Sequence, residues 1–182
     1  MTRNSRNDIW VFAYGSLMWR PDFEFIESEP AQLRGYHRAF CIFSHIYRGS
    51  PENPGLVLGL DAGGSCRGRA FRLSPKTAPG ILAAIDAREM IYHVYRERRL
   101  PVSLIARDGK PRVEAHTYVA DRAGPQYTGK LTRARMVKLI RQGRGTSGSA
   151  RDYLTNTVHH LNQLGLPDSR LQSLLQDVNA KD

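Results

Sequence analysis

The stretch Ile9-Trp10-Val11-Phe12-Ala13-Tyr14-Gly15-Ser16-Leu17 begins as an apolar run and breaks into a polar turn at Tyr14-Gly15-Ser16. A run of β-branched and aromatic residues bounded by a glycine reads as a buried core strand. Gly15 accepts backbone angles that other residues reach only with strain, so peptide N–H groups at the strand end can point outward. Consecutive N–H groups in such a turn form a small nest for a carboxylate or a developing oxyanion. The plain alternative is a strand followed by a structural turn.

Around that stretch, composition sets the class. The chain has 182 residues, 41% of them hydrophobic, enough to bury a core without disulfides or metal. The expectation is one domain spanning 1–182, with a short polar N-terminal tail at 1–8. Cys41 and Cys66 lie far apart with no CxxC spacing, so both are expected to be reduced and buried. The first residues lack the apolar core of a signal peptide, and no stretch reaches the length of a membrane span. A cytoplasmic protein with no membrane partner is therefore expected. Lys and Arg number 27 against 17 Asp and Glu, for a formal charge of +10. That excess fits a solvated basic surface or a small anionic substrate. Nucleic acid is not expected as a partner, because the basic residues are scattered and no zinc-finger or RNP-like pattern accompanies them.

Taken in order, Met18 to Asp22 reads as a loop around Pro21, and Ala31 to Ser44 as extended with a bulge at Gly35. The polar segment Arg48 to Gly55 is a loop. Leu56 to Leu60 and Cys66 to Leu73 read as strands joined in a hairpin by Gly63-Gly64. Ser74-Pro75 looks like a cap and first helical position. In that helix Ile81, Leu82 and Ile85 share a face, and Glu89 continues the spacing at i+4. Val102 to Ala106 and Val113 to Ala120 form strands joined through Asp108-Gly109. Thr132 caps a helix over Leu131 to Gln142 that ends at Gly143. A flexible loop, Gly145 to Gly148, then leads to a capping-box start at Ser149-Ala150-Arg151-Asp152. That helix turns Leu154, Val158 and Leu161 inward and stops near Gly165, and Leu171, Leu174, Leu175 and Val178 mark a last amphipathic segment. The sum is an α+β fold, a small, mostly antiparallel β-barrel with flanking helices.

Glu89 leads the chemical candidates. A carboxylate on the apolar face of a helix is desolvated and resists ionisation, so it can act as a general base near neutral pH. The alternative is an exposed Glu89 paired with Arg88 or Arg96. Asp86 is nearby but off the apolar stripe. The six histidines show no HExxH or other ligand spacing, and no metal site is indicated. Neither glycine-rich segment fits a nucleotide-binding fingerprint, so no cofactor is implied. Ser16 lacks a nucleophile elbow, which leaves its backbone of more interest than its hydroxyl. Tyr127 is either a loop hydroxyl reaching into a pocket or a packed ring.

Four segments in order carry a resemblance. They are Val11 to Leu17 with its Tyr-Gly-Ser-Leu loop, Arg48 to Gly55 followed by Leu56 to Asp61 and Gly63 to Cys66, Arg88-Glu89-Met90, and Tyr127 with Gly129. Together they resemble the ChaC-type γ-glutamylcyclotransferases, which act on glutathione, and the likeness covers almost the whole chain. It implies a small barrel with flanking helices, no metal or organic cofactor, and conversion of glutathione to 5-oxoproline and cysteinylglycine. By the same resemblance Val11, Phe12, Ala13, Tyr14, Gly15, Ser16 and Leu17 hold the γ-glutamyl group, Tyr127 lies on the substrate side, and Glu89 is the acid/base. Asp86-Ala87 stands before Arg88 where bulkier residues are common in relatives, and Ile91-Tyr92-His93 replaces a Gly-Gly-Tyr found in some members. These departures bear on substrate preference. Other readings are cyclisation of a different γ-glutamyl amine or amino acid, a non-catalytic anion- or nucleic-acid-binding domain, and a regulator that keeps the pocket.

Overall fold

The computed structural model describes residues 8–89 and 93–180. The polar tail through Asn7 and the segment Met90-Ile91-Tyr92 lie outside the described residues. Five strands, β1 (Ile9–Ala13), β2 (Glu27–Ser44), β3 (Gly55–Leu73), β4 (Tyr95–Leu104) and β5 (Arg112–Ala120), close into a barrel in the order β1-β3-β2-β4-β5. β1 runs antiparallel to β3, with Val11 opposite Phe71 and Ala13 opposite Arg69. β4 runs antiparallel to both β2 and β5. Closure is made by a parallel pair, Trp10 and Val11 of β1 against Ala115 and His116 of β5. The barrel is therefore mostly antiparallel, as expected, with the one parallel pair making it mixed.

By internal contacts the chain divides into two compact units, one of Met1–Arg38 with Leu60–Asp121 and one of Ala39–Gly59 with Arg122–Asp182. In the first, Trp10, Phe12, Leu33, Phe71, Leu73 and Leu104 are at most 2% exposed, each such side chain contributing about 1.5–3 kcal/mol by burial. Helix α1 (Ala78–Glu89) buries Ala78 and Ile85, whereas Ile81 and Leu82 are only half-buried. The helix starts three residues later than the first helical position expected at Pro75. Ser74 instead closes a preceding turn, its carbonyl accepting from Thr77 N and Ala78 N at 3.1 and 2.9 Å.

The hairpin expected at Gly63-Gly64 does not form. β3 is continuous through both glycines, which sit at φ +99° and +71°. Positive φ at consecutive glycines can turn a chain back or bend a strand without ending it, and here His37 Nδ1 meets Gly63 O at 2.9 Å, tying the bend to β2. β4 begins at Tyr95 rather than Val102 and ends at Leu104, so the basic residues Arg96, Arg98 and Arg99 lie on its first half. Gly109, at φ +69°, turns the chain into β5 as the sequence indicates.

The second unit contains α2 (Arg133–Gln142), α3 (Ala150–Gln163) and α4 (Ser169–Asn179), which pack on one another. Thr132 and Ser149 cap α2 and α3 by accepting from Arg135 N and Asp152 N at 3.3 and 2.9 Å. Leu139, Ile140, Leu154, Leu161 and Leu174 are the buried faces of these helices. The segment expected as a flexible loop is instead a tiny hairpin, β6 (Arg144–Gly145) against β7 (Gly148–Ser149). It is held because Thr146 N and Ser147 N donate to Ile46 O and Tyr47 O at 2.8 and 2.9 Å. Gly143 ends α2 at φ −66°, outside the left-handed region. It is glycine because a Cβ there would stand 2.4 Å from Gly55 Cα and 2.6 Å from Arg48 O. Cys41 and Cys66 are buried thiols, not joined in a disulfide. Among the described residues no helix is long and apolar enough to cross a membrane.

Candidate functional site

The exit of β1 is gripped at alternate residues by three different elements. Thr117 on β5, fully buried, donates from Oγ1 to Phe12 O at 3.0 Å. Arg38 on β2, 6% exposed, donates from Nε to Tyr14 O at 2.6 Å. Arg88 on α1 donates from Nη2 to Ser16 Oγ at 2.9 Å. Gly68 lets β3 come close on this side, since a Cβ there would stand 2.2 Å from Ala13 O.

These grips decide where the N–H groups of the turn face. In a trans peptide the C=O and the following N–H point in opposite directions. Tyr14 O is taken by Arg38, Gly15 O by Met18 N at 2.9 Å, and Ser16 O by Trp19 N and Arg20 N at 3.2 and 2.8 Å. The N–H groups of Gly15, Ser16 and Leu17 are thereby turned away from those carbonyls, and they donate to no acceptor among the described residues. A single 3-10 turn over Ser16–Met18 follows Gly15, whose φ of −131° is not left-handed. The turn is thus built by hydrogen bonds and not by the positive φ that glycine permits. Val11, Phe12 and Ala13 are at most 1% exposed and in register with β3, so their part is to hold the turn rigid. Tyr14 and Leu17 are 9% and 7% exposed, while Gly15 and Ser16 are half-buried.

Glu89 closes α1 with its side chain 20% exposed. Burial raises its pKa above the usual carboxylate range, and the nearby Arg88 guanidinium opposes part of that rise. Arg88 Nε lies 3.5 Å from Glu89 Oε1, and its Nη1 lies 3.3 Å from Asp22 Oδ2. Glu89 is therefore both desolvated and close to Arg88, two features that the sequence reading set against each other. Arg96 pairs with Asp121 instead, at 2.9 Å. Through Arg88 the structure joins the turn and the carboxylate, which are far apart in the chain.

Asp86 and Tyr118 complete this side of the first unit. Tyr118, 3% exposed on β5, donates its hydroxyl to Asp86 Oδ1 at 2.5 Å. Its phenol is driven well above its ordinary pKa by burial, then by this hydrogen bond and by the negative charges of Asp86, Glu97 and Glu89. It stays protonated throughout the physiological range. His116 Nδ1 meets Glu97 Oε1 at 2.6 Å.

Tyr127 belongs to the second unit. It is half-buried, bridges to Ile42 of β2, and carries the Arg122 guanidinium 5.8 Å from its ring centroid. His159 is exposed and His160 lies 3.1 Å from Gln163. Among the described residues no group of three or more His, Cys, Asp or Glu is disposed to hold a metal ion.

Arg38, Thr117 and Tyr118 are missing from the sequence-level candidates. A signal for Arg38 is present, since period-two alternation puts it on the same strand face as Phe40 and Ile42, and an arginine there needs a partner. Chemically, the first unit offers peptide N–H groups able to stabilise an anion, joined through one arginine to a carboxylate whose pKa burial raises.

Comparison with known proteins places this arrangement. The chain is 37% identical over 177 residues to the glutathione-specific gamma-glutamylcyclotransferase of Escherichia coli (strain K12), covering 97% of this chain and 75% of that protein. It is 32% identical over 187 residues to the glutathione-specific gamma-glutamylcyclotransferase of Schizosaccharomyces pombe, covering 93% and 90%. In structure it is similar to a selenomethionine-labelled gamma-glutamylcyclotransferase specific to glutathione from yeast, with a TM-score of 0.84, 24% identity, and coverage of 94% and 96%. Residues 9–181, from the first barrel strand past the last helix, match the sequence model of the ChaC-like proteins, and the chain belongs to that family.

Proposed function

We propose that this protein degrades glutathione by intramolecular cyclisation of the γ-glutamyl group, releasing 5-oxoproline and cysteinylglycine, with Glu89 as acid/base. The observation that carries the reading is the half-buried, hard-to-ionise Glu89 joined through Arg88 to the Tyr14-Gly15-Ser16 turn. Glu89 takes a proton from the substrate α-ammonium, and the freed amine attacks its own γ-carbonyl carbon. Negative charge develops on the γ-carbonyl oxygen, where N–H groups of Gly15, Ser16 and Leu17 stabilise it. One such donor is worth about 3 kcal/mol where comparable groups have been removed. The bond from the γ-carbon to the cysteinyl nitrogen then breaks, Glu89 returns its proton to that nitrogen, and the second proton shed by the attacking nitrogen as it becomes the lactam N–H leaves on the released amine as its ammonium. A five-membered lactam forms, and the step consumes no water and needs no covalent enzyme intermediate.

Because nucleophile and electrophile belong to one molecule, selecting the folded-back conformer supplies much of the rate, on the order of 7–11 kcal/mol at best. Residues 1–182 act in this reading as one functional domain, with Tyr127 on the substrate side. Two buried thiols not joined in a disulfide, Cys41 and Cys66, fit a cytoplasmic location. The +10 charge serves to draw in an anionic peptide.

The test follows 5-oxoproline and cysteinylglycine together from reduced glutathione, with γ-glutamylcysteine as comparator and Glu89→Gln as control. Matched release of both products from glutathione, abolished in the variant, is the expected result. A folded wild-type protein that releases neither product overturns the reading.

A further inference from the structure

Arg38 is a buried cation whose guanidinium reaches two carbonyls of two separate segments. Nε donates to Tyr14 O at 2.6 Å and Nη2 to Arg67 O at 2.7 Å. A guanidinium is a planar, rigid fork, so engaging both acceptors fixes their relative placement as well as their hydrogen bonding. Tyr14 lies one residue past the end of β1, at Ala13, beyond the named ladder registers that orient the preceding peptides. Among the Tyr14, Gly15 and Ser16 carbonyls, those of Gly15 and Ser16 are held by the 3-10 turn itself, while that of Tyr14 is held by this arginine.

Resting on the glutathione-cyclisation reading, we propose that Arg38 is a positioning residue for that reaction. By holding the Tyr14 carbonyl it orients the Tyr14–Gly15 peptide, and so aims the Gly15 N–H at the oxygen that becomes negative as the lactam closes. Arg38 acts on the backbone and not on the substrate. Its effect therefore falls on the step in which charge develops, while the ground-state complex changes less.

Three preparations test this against wild type: Arg38→Lys, which keeps the charge but not the fork; Arg38→Ala; and Glu89→Gln. Both Arg38 variants are expected to lose roughly 10–100-fold in kcat, as a misplaced group near the reacting atoms does, with KM changed by only a few-fold. Millimolar guanidinium is expected to restore part of the Arg38→Ala kcat and none of the Glu89→Gln kcat. A folded Arg38→Lys or Arg38→Ala protein with kcat within two-fold of wild type overturns the inference. So does a loss of kcat that guanidinium leaves unchanged and that matches a loss of folded protein. A measurement on the unsubstituted protein is independent of variant folding: the Arg38 Nε–H is expected to exchange slowly by NMR, and rapid exchange overturns the grip on Tyr14. Activity that survives in Glu89→Gln, or is absent from wild type, overturns the catalytic reading and this inference with it. Loss in Glu89→Gln with full kcat in the Arg38 variants overturns the inference alone.

Discussion

Arg88 Nη2 donates to Ser16 Oγ at 2.9 Å across 72 residues of sequence, and the same guanidinium lies 3.5 Å from Glu89 Oε1. Its positive charge favours the ionised carboxylate and opposes the upward shift that burial imposes on Glu89. Arg88→Gln removes that charge, so the Glu89 pKa rises further. Because the proposed base must be ionised, the acid limb of the kcat/KM profile is expected to move to higher pH. Arg88 is 40% exposed, which screens the effect. An exposed pair is worth roughly 0.2–1 kcal/mol, or about 1.4–5-fold in kcat/KM on the acid limb. A pH series of initial rates checks both direction and size.

Glu89→Gln is expected to lower turnover by at least about 10²–10⁴-fold, the usual contribution of a positioned acid/base, while leaving the fold intact. The stability sign follows from the raised pKa. The unfolded chain ionises Glu89 near 4.5 and the folded protein only at higher pH, so stability is fully present below 4.5 and part of it is lost as pH rises through the folded value. Glutamine carries no such penalty. Thermal melts are expected to show Glu89→Gln at least as stable as wild type at pH 7, with the difference shrinking toward pH 4.

Tyr118→Phe removes the hydroxyl that donates to Asp86 at 2.5 Å and leaves a half-buried carboxylate without that donor. The expected loss is about 1–3 kcal/mol of stability, read from denaturant unfolding. A double-mutant cycle with Asp86→Asn is expected to show coupling, since the two side chains share one hydrogen bond.

Two glycine-to-alanine changes should act in opposite directions. Gly143→Ala would drive a methyl to 2.4 Å from Gly55 Cα and 2.6 Å from Arg48 O. Both contacts are backbone, so a loss of about 1–3 kcal/mol or more is expected from overpacking. A Cβ at Gly80, in the first turn of α1, meets nothing within 4 Å, and Gly80→Ala is expected to stabilise by about 0.4–1 kcal/mol through the unfolded chain. Unfolding midpoints of the two variants separate these outcomes.

Salt provides a separate check on the charge. With a formal +10 on the protein and an anionic peptide as proposed substrate, kcat/KM is expected to fall as ionic strength rises from 10 to about 150 mM, where the screening length shrinks from about 30 to 8 Å. A rate constant flat across that range removes steering from the account.

Local order was legible in the sequence to the extent that it rests on neighbours. The caps Thr132 and Ser149, the turn at Gly109, the buried faces of α3 and α4 and the run into the Tyr14-Gly15-Ser16 turn all depend on residues within about four positions. The Gly63-Gly64 bend misled because two glycines license a reversal or a bend equally. Only the pairing of β3 with its neighbours decides between them. Gly145 to Gly148 misled in the same way, since the carbonyls of Ile46 and Tyr47 that order it lie about a hundred residues away.

The sequence by itself determined the α+β class, the opening strand and its turn, the helix of Glu89, and, through four motifs in order, the family resemblance that the family match bears out. Tertiary structure alone decided the parallel closure of β1 on β5, the hold of Arg38 on Tyr14 across 24 residues, and the link from Arg88 to Ser16 across 72. Periodicity and capping are written into short windows because backbone geometry repeats every two or 3.6 residues. Which carbonyl an arginine reaches depends on where distant strands bring it, and no short window of residues contains that.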